Sequence, residues 1–319
     1  MKRKIVIVDH RDEGYEMEKK AFASISEELV ICNCKNKDEL ITAVRDAFVI
    51  IFTYSEFSGK IIDQLTKCKL LVRYGVGLEN VDIRAASEKG IYVCNTPNYG
   101  TFAVAEHAFG LLLGLNRKLN LFDHNVRNNI WGIENVAPVH SLRFKTLGIM
   151  GFGNIGRHVS RMAIAFDMKV IINDPFVDAA ISGKYFSKSV AFEELIADSD
   201  HISIHAPLNN ATRHLFNMSV FRKMRKRATL INTSRGGLIN QPDLVDALRS
   251  GLIAGAGLDV FENEPLDHGN ELLTMNNVLL TPHVAWYTEE SIVNLHQEVI
   301  DEVLLVLGGN IPNNCVNHI

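Results

Sequence analysis

The stretch Thr146-Leu147-Gly148-Ile149-Met150-Gly151-Phe152-Gly153-Asn154-Ile155-Gly156 decides how this chain is read. An apolar run of strand length ends in glycines spaced G-x-G-x-x-G, and a helix-period segment, about 154–166, follows. The first glycine, Gly151, permits a tight turn off the strand. The second, Gly153, lets the backbone approach a pyrophosphate, and the third, Gly156, lets helix pack closely on strand. Free N–H groups at the helix start, around Asn154 and Ile155, would face the phosphates. Alone the triplet is weak, because glycines also mark ordinary turns. The next strand, Lys169–Asn173, runs into Asp174. A carboxylate there can accept both ribose hydroxyls and would repel a 2′-phosphate. No arginine follows in Pro175-Phe176-Val177, so the expected cofactor is NAD rather than NADP. The bland reading of Asp174 is a residue that opens a turn before Pro175.

Outward from this unit, short apolar runs alternate with helix-period segments along the whole chain, the pattern of parallel α/β structure. Strands are expected near 5–8, 29–31, 49–52, 70–73 and 91–94, with helices near 14–24, 37–47 and 59–66 between them. Asn95-Thr96-Pro97-Asn98 breaks that series, and a long amphipathic helix is expected over about 104–118. A second series opens at Thr146–Met150 and continues through Lys169–Asn173, His201–Ile204, Thr229–Asn232, Gly255–Leu258 and Val278–Leu280. A last helix covers about 289–307 and ends at Gly308-Gly309. Two α/β sheets imply a cleft between them, a common place for ligands.

Bulk properties narrow the function classes. At 319 residues the chain suits about two domains. It is 47% hydrophobic and 22% charged, the balance of a soluble globular protein. A net charge of −4, with only short basic runs such as Arg225-Lys226-Arg227, makes nucleic acid and anionic membrane poor partners. No segment reaches the ~20 apolar residues of a membrane span, and Ile5-Val6-Ile7-Val8 is too short for a secretory signal. Five cysteines, odd in number and without a partner pair at metal-ligand spacing, predict thiols in a reducing cytoplasm and no metal site.

Candidate reactive residues lie on the loops after late strands of the second series, where the strand carboxyl ends face the ligand crevice. In Asn232-Thr233-Ser234-Arg235-Gly236-Gly237 the glycines turn the chain sharply while Arg235 projects forward. Its guanidinium fork can hold a carboxylate and polarise the adjacent carbonyl. Asp259-Val260-Phe261-Glu262-Asn263-Glu264-Pro265 and Thr281-Pro282-His283 follow the next two strands. His283 is the candidate acid/base and Glu264 its orienter, since a carboxylate on one ring nitrogen fixes the tautomer and favours imidazolium. On spacing alone a helix-capping Glu264 and a structural His283 are equal alternatives.

These residues, with His205-Ala206-Pro207 and the upstream Arg73-Tyr74-Gly75-Val76-Gly77-Leu78-Glu79-Asn80-Val81-Asp82, resemble the D-isomer-specific 2-hydroxyacid dehydrogenases over essentially the whole chain. The resemblance implies that Arg235 binds substrate, that Glu264 supports His283, and that Val76 and Gly77 offer backbone amides to the substrate carboxylate. It places Asp259 near the nicotinamide amide, and Ala206, Thr212 and Thr233 along the cofactor. It also implies a discontinuous architecture. A flavodoxin-like substrate domain, residues 1–101 plus 287–319, would be interrupted by a Rossmann-type NAD domain at 102–286. The long helix and the Trp131 segment would build a homodimer face, with ordinary core as the alternative.

Trp286, in Pro282-His283-Val284-Ala285-Trp286-Tyr287, looks like the C-terminal binding protein branch of that family. There the indole would line the pocket and suit an apolar or thioether side chain; packing between domains is the alternative. The loop Thr53-Tyr54-Ser55-Glu56-Phe57-Ser58 carries no cation for a phosphorylated substrate. The Glu–His pairing also argues against formate, whose dehydrogenases lack it. The expectation is therefore an NAD-dependent enzyme moving hydride between nicotinamide and a 2-oxo or D-2-hydroxy acid. The alternative is an NAD(H)-sensing scaffold or corepressor.

Overall fold

The computed structural model describes residues 2–9, 14–25 and 27–319. It divides into two compact units, Met1–Gly100 with Thr288–Ile319, and Thr101–Tyr287.

The first unit holds strands β1 (Lys4–Ile7), β2 (Glu28–Ile31), β3 (Val49–Phe52), β4 (Leu70–Arg73) and β5 (Tyr92–Cys94) in the order β2-β1-β3-β4-β5, every pair parallel. Inner strands such as Val49-Ile50-Ile51-Phe52 are buried on both faces, which is why they read as unbroken apolar runs rather than alternating ones. Helix Glu289–Leu307 belongs to this unit. It starts in a capping box, in which Thr288 and Ser291 bond each other's backbone N–H. Its stripe of Leu295, Val299, Val303 and Val306 packs into the core with Ile5, Phe22 and Val72. Each such side chain contributes about 2 kcal/mol on leaving water.

The second unit carries β6 (Thr146–Met150), β7 (Lys169–Asn173), β8 (Ser187–Ser189), β9 (His201–Ile204), β10 (Thr229–Asn232), β11 (Gly255–Leu258) and β12 (Val278–Leu280). Their order is β12-β11-β10-β9-β6-β7-β8, again all parallel. The order reverses between β6 and β9, so the loops after those two strands open a crevice at their carboxyl ends. Both sheets are the doubly wound parallel class expected from the sequence.

The differences are local. The long helix begins at Thr101 and ends at Arg117, because Lys118 adopts a left-handed φ of 52°. A separate helix, Leu119–Arg127, follows. Ala105, Ala108, Phe109, Leu111 and Leu112 bury the long helix in the core with Leu147 and Ile149, so most of it is core rather than free face. Phe102 is exposed at its first turn, and a further set of exposed apolar side chains follows at Leu119, Val126, Ile130, Trp131 and Ile133. The helix expected over 59–66 stops at Ile62. Edge strand β8 was not foreseen. Among the described residues no helix is long and apolar enough to cross a membrane.

Candidate active site

The glycine loop leaves β6 with Gly151 at φ +87°, a conformation that L side chains rarely adopt. A Cβ there would lie 2.6 Å from the His205 carbonyl, so the loops after β6 and β9 touch backbone to backbone. A Cβ on Gly156 would sit 2.4 Å from the Gly151 oxygen, the close helix-on-strand contact that the third glycine permits. Gly153 faces open space and forms the N-cap of helix Asn154–Ala165 without a side-chain hydrogen bond. The helix start, with Asn154 and Ile155, is thus presented to an anion by an uncapped turn.

Asp174 does two things. Its Oδ2 accepts the Phe152 N–H at 2.7 Å, bracing the glycine loop, and its Oδ1 accepts the Phe176 N–H at 2.8 Å, opening the turn. Each oxygen keeps a second lone pair. Ala206 is buried beside His205. Burial pulls the His205 ring down to about 4, so it is neutral near pH 7. Its Nε2 meets the Ser203 hydroxyl at 2.8 Å. Thr212 staples its own loop, accepting the Asn209 N–H at 2.8 Å and donating to the Pro207 carbonyl at 2.7 Å. The Thr233 hydroxyl is buried with no partner among the described residues. A buried hydroxyl left unmet at the carboxyl end of β10 suits a ligand that supplies the missing bond. These features fit a dinucleotide.

At the end of β10 the Asn232 side chain clamps the following turn. Its Oδ1 accepts the Ser234 N–H at 3.0 Å and its Nδ2 donates to the Arg235 carbonyl at 2.9 Å. A Cβ on Gly236 would fall 1.9 Å from the Phe261 carbonyl. Only glycine lets the Arg235 turn press against the loop that carries Glu264. The Arg235 guanidinium donates to the Ser234 carbonyl at 2.8 Å.

Glu264 accepts the Phe261 N–H with Oε1 at 2.8 Å, and His283 Nδ1 lies 2.6 Å from its Oε2. Burial pushes this carboxyl up. The His283 hydrogen bond, the Phe261 N–H and the charges of His283 and Arg235 outweigh it and hold the group below the usual carboxylate range. The His283 side chain is 45% exposed, and Nε2 has no partner among the described residues. Its backbone is left-handed, φ +55°, an uncommon state for a non-glycine residue.

Asp259 explains how that strained turn persists. The residue is fully buried. Oδ1 accepts the Thr281 hydroxyl at 2.5 Å and the Val284 N–H at 2.9 Å, while Oδ2 accepts the Ala285 N–H at 2.8 Å. The His283 N–H donates to the Asp259 carbonyl at 2.8 Å. His107 Nε2 stands 2.9 Å from the Thr281 hydroxyl and extends the buttress. Trp286 also braces the turn, its indole N–H donating to the His283 carbonyl at 3.0 Å. So the carboxylate expected beside nicotinamide, and the indole expected at the pocket wall, both hold the His283 turn.

In the first unit, Gly75 turns the chain after β4 at φ +136°. Every carbonyl of the turn is tied back: Gly75 by the Thr96 N–H at 3.1 Å, Val76 by Asn95 Nδ2 at 2.7 Å, and Gly77 by the Arg73 guanidinium. The Val76 and Gly77 N–H groups donate to nothing among the described residues. Successive unpaired amides make an anion cradle. Arg73 also donates to the Thr53 carbonyl at 2.9 Å. Asp9 gathers the N–H groups of Thr53, Tyr54 and Ser55. The sequence reading missed Asn232, Thr281, His107, Asn95, Thr96 and Asp9 as supports. Asn232, Asp9, Asn95 and Thr281 each stand at the end of an apolar strand, a detectable signal; His107 and Thr96 carry none.

The lowered carboxyl of Glu264 gives a first prediction. Its stabilising contribution is complete above the unfolded carboxylate pKa and is lost as pH falls through the lower folded value. Glu264→Gln should therefore lower Tm at pH 7, and the gap to wild type should shrink on acidification to pH 3. A gap independent of pH in thermal melts would remove the charged contact.

Residues 109–285 match the family described as D-isomer specific 2-hydroxyacid dehydrogenase, NAD binding domain. A glyoxylate reductase of Thermococcus litoralis is 38% identical, the alignment covering 85% of this chain and 83% of that protein. A D-3-phosphoglycerate dehydrogenase of Archaeoglobus fulgidus is 33% identical over 88% of this chain, which spans only 54% of that longer protein. Among solved structures, a glyoxylate reductase from Paecilomyes thermophila superposes with a TM-score of 0.90 at 28% identity, covering 99% of this chain and 98% of its own. Similarity of that extent, joined to a cofactor unit whose crevice loops are built as the geometry requires, means that the chain belongs to the D-isomer-specific 2-hydroxyacid dehydrogenases, NAD-dependent enzymes of small 2-hydroxy and 2-oxo acids.

Proposed function

We propose that this enzyme reduces a small 2-oxo acid with an uncharged side chain to the D-2-hydroxy acid. The observation that carries the reading is the Glu264–His283 contact on a buttressed turn, in the unit that also holds the tightly packed Arg235 turn. Arg235 binds the substrate and polarises its carbonyl, and the Val76 and Gly77 amides hold its carboxylate. Bound NADH supplies the hydride. His283 Nε2 delivers the proton to the forming alkoxide, while Glu264 fixes the ring through Nδ1. Gly151, Gly153, Asn154, Ile155 and Gly156 cradle the pyrophosphate, Asp174 takes the ribose hydroxyls, and Ala206, Thr212 and Thr233 line the cofactor. Asp259 acts as the buttress of the His283 turn, with one acceptor position left for the nicotinamide amide.

The charge pattern of the first unit supports an uncharged tail. Arg73 Nε and Nη1 go to the Thr53 and Gly77 carbonyls, and Lys37 is paired with Glu56 at 3.1 Å. Among the described residues, no unengaged cation near Thr53–Ser58 favours a phosphate. Similarity to glyoxylate reductases supports a compact substrate, and we place an apolar or thioether tail at the upper end of the range. A panel with NADH should show turnover of unphosphorylated 2-oxo acids and none of phosphohydroxypyruvate. NADH binding without turnover of any member would favour a nucleotide-sensing scaffold instead. We further propose a homodimer through the face bearing Leu119, Val126, Ile130, Trp131 and Ile133, all exposed. Sedimentation at the monomer mass would remove it.

Asp174 gives a two-part prediction. Asp174→Ala loses both the loop brace and the ribose acceptor, so NAD affinity should fall about tenfold or more, with discrimination against NADP relaxed. Asp174→Asn keeps an acceptor for the Phe152 N–H but loses the charge that repels a 2′-phosphate. It should retain more NAD affinity while relaxing discrimination equally. Unchanged NAD/NADP ratios in both variants would refute the ribose assignment.

A further inference from the structure

We propose that the buried chain Tyr74–Glu18–His296 is a positioning device for the substrate's carboxylate cradle, an inference that rests on the assignment of Val76 and Gly77 above. Glu18, on helix Glu16–Ser24, is fully buried, and His296, on helix Glu289–Leu307, is 4% exposed. Glu18 Oε1 accepts the Tyr74 hydroxyl at 2.8 Å and lies 2.6 Å from His296 Nδ1. Its Oε2 has no partner among the described residues.

Stability does not account for this arrangement. A buried carboxyl group with one oxygen unmet is costly, and apolar residues of similar volume commonly pack as well or better. What such a chain supplies is direction. The phenol of Tyr74 is aimed by its hydroxyl, which donates to Glu18 Oε1, and by the rings of Tyr15 and His296 at 6.3 and 5.4 Å. The Tyr74 N–H donates to the Phe52 carbonyl at 2.8 Å, so the residue is fixed at backbone and side chain alike.

The next residue is Gly75, where the chain turns, and the two after it present the free amides. Thr96 holds Gly75 from both sides, its Oγ1 accepting the Gly75 N–H at 2.8 Å and its own N–H donating to the Gly75 carbonyl. The cradle is thus suspended between a polar rim of Arg73, Asn95 and Thr96 and a buried anchor one residue before the turn. Because a charged ligand is read by amide direction, a shift of the anchor by a fraction of an ångström weakens the fit while leaving cofactor and proton donor untouched.

Tyr74→Phe keeps the ring and removes the hydroxyl. With NADH saturating, its affinity for oxamate, an unreactive 2-oxo acid analogue, should fall about five- to tenfold, and KM for the 2-oxo acid should rise in parallel. Its kcat and NADH affinity should stay near wild type. Two companions separate the outcomes. Val299→Ala opens a cavity in the same core and should lower Tm without weakening oxamate. Asn95→Ala releases the Val76 carbonyl and should weaken oxamate directly. If Asn95→Ala weakens oxamate but Tyr74→Phe does not, the positioning inference fails and the cradle stands. If neither changes oxamate binding, the cradle assignment fails and the inference falls with it. If Val299→Ala weakens oxamate as much as Tyr74→Phe, the chain is merely structural and the inference is overturned.

Discussion

His283→Asn should cut kcat for 2-oxo acid reduction by about 10²–10⁴-fold while NADH affinity stays near wild type. That range corresponds to about 3–5 kcal/mol of lost transition-state stabilisation. Asparagine is the informative substitution because His283 sits at φ +55°, where asparagine is tolerated and alanine is strained. The Val284 and Ala285 N–H groups, donating to the Asp259 carboxylate, should then hold the turn in place, so the variant isolates the proton rather than the fold. The Glu264 carboxyl loses its Nδ1 partner and should move up toward the ordinary carboxylate range, since the His283 contact is among the causes holding it down. A kcat unchanged in pre-steady-state and steady-state assays would take His283 off the proton path.

How much of this was legible depended on how each feature is encoded. The strands β6, β7, β9, β10, β11 and β12 could be bounded from sequence because parallel strands buried on both faces must be continuously apolar, and each ends at a polar or glycine residue that starts a loop. The edge strand β8, Ser187-Lys188-Ser189, has no such signature because one side of it faces solvent. Lys118 breaks the long helix by a single left-handed residue, which nothing in its chemistry announces.

At the site, types were readable and supports were not. A glutamate and a histidine on successive loops invite pairing, and Gly236 marks a close approach whose partner, Phe261, only the fold supplies. The part Asp259 plays in holding the His283 turn was illegible for the same reason. A carboxylate that follows a late strand can face a ligand or turn inward, and three donors from residues 281–285 draw this one inward. Likewise the anion cradle shows in sequence as glycines, whereas the carbonyl tie-backs that leave its amides free come from Arg73, Asn95 and Thr96.

Arg235→Ala should lower kcat/KM by about 10³-fold, because it strips a half-buried charge from a carboxylate-bearing substrate, a loss of about 4 kcal/mol. Arg235→Lys tests which property matters. Lysine restores the positive charge but not the planar fork, so it can screen the carboxylate without also polarising the carbonyl in a fixed direction. It should recover no more than about tenfold of the loss, mostly in KM, with kcat still depressed. The Asn232 side chain holds the backbone of the turn, and Gly236 meets Phe261 backbone to backbone; neither contact uses the Arg235 side chain, so neither substitution should disturb the turn. Removing the guanidinium also removes one cause of the lowered Glu264 carboxyl. The folded-state value then rises, so the acid loss of stability in Arg235→Ala should begin at higher pH than in wild type. A lysine variant with wild-type kcat would show that charge alone suffices and that the fork plays no part in polarising the carbonyl.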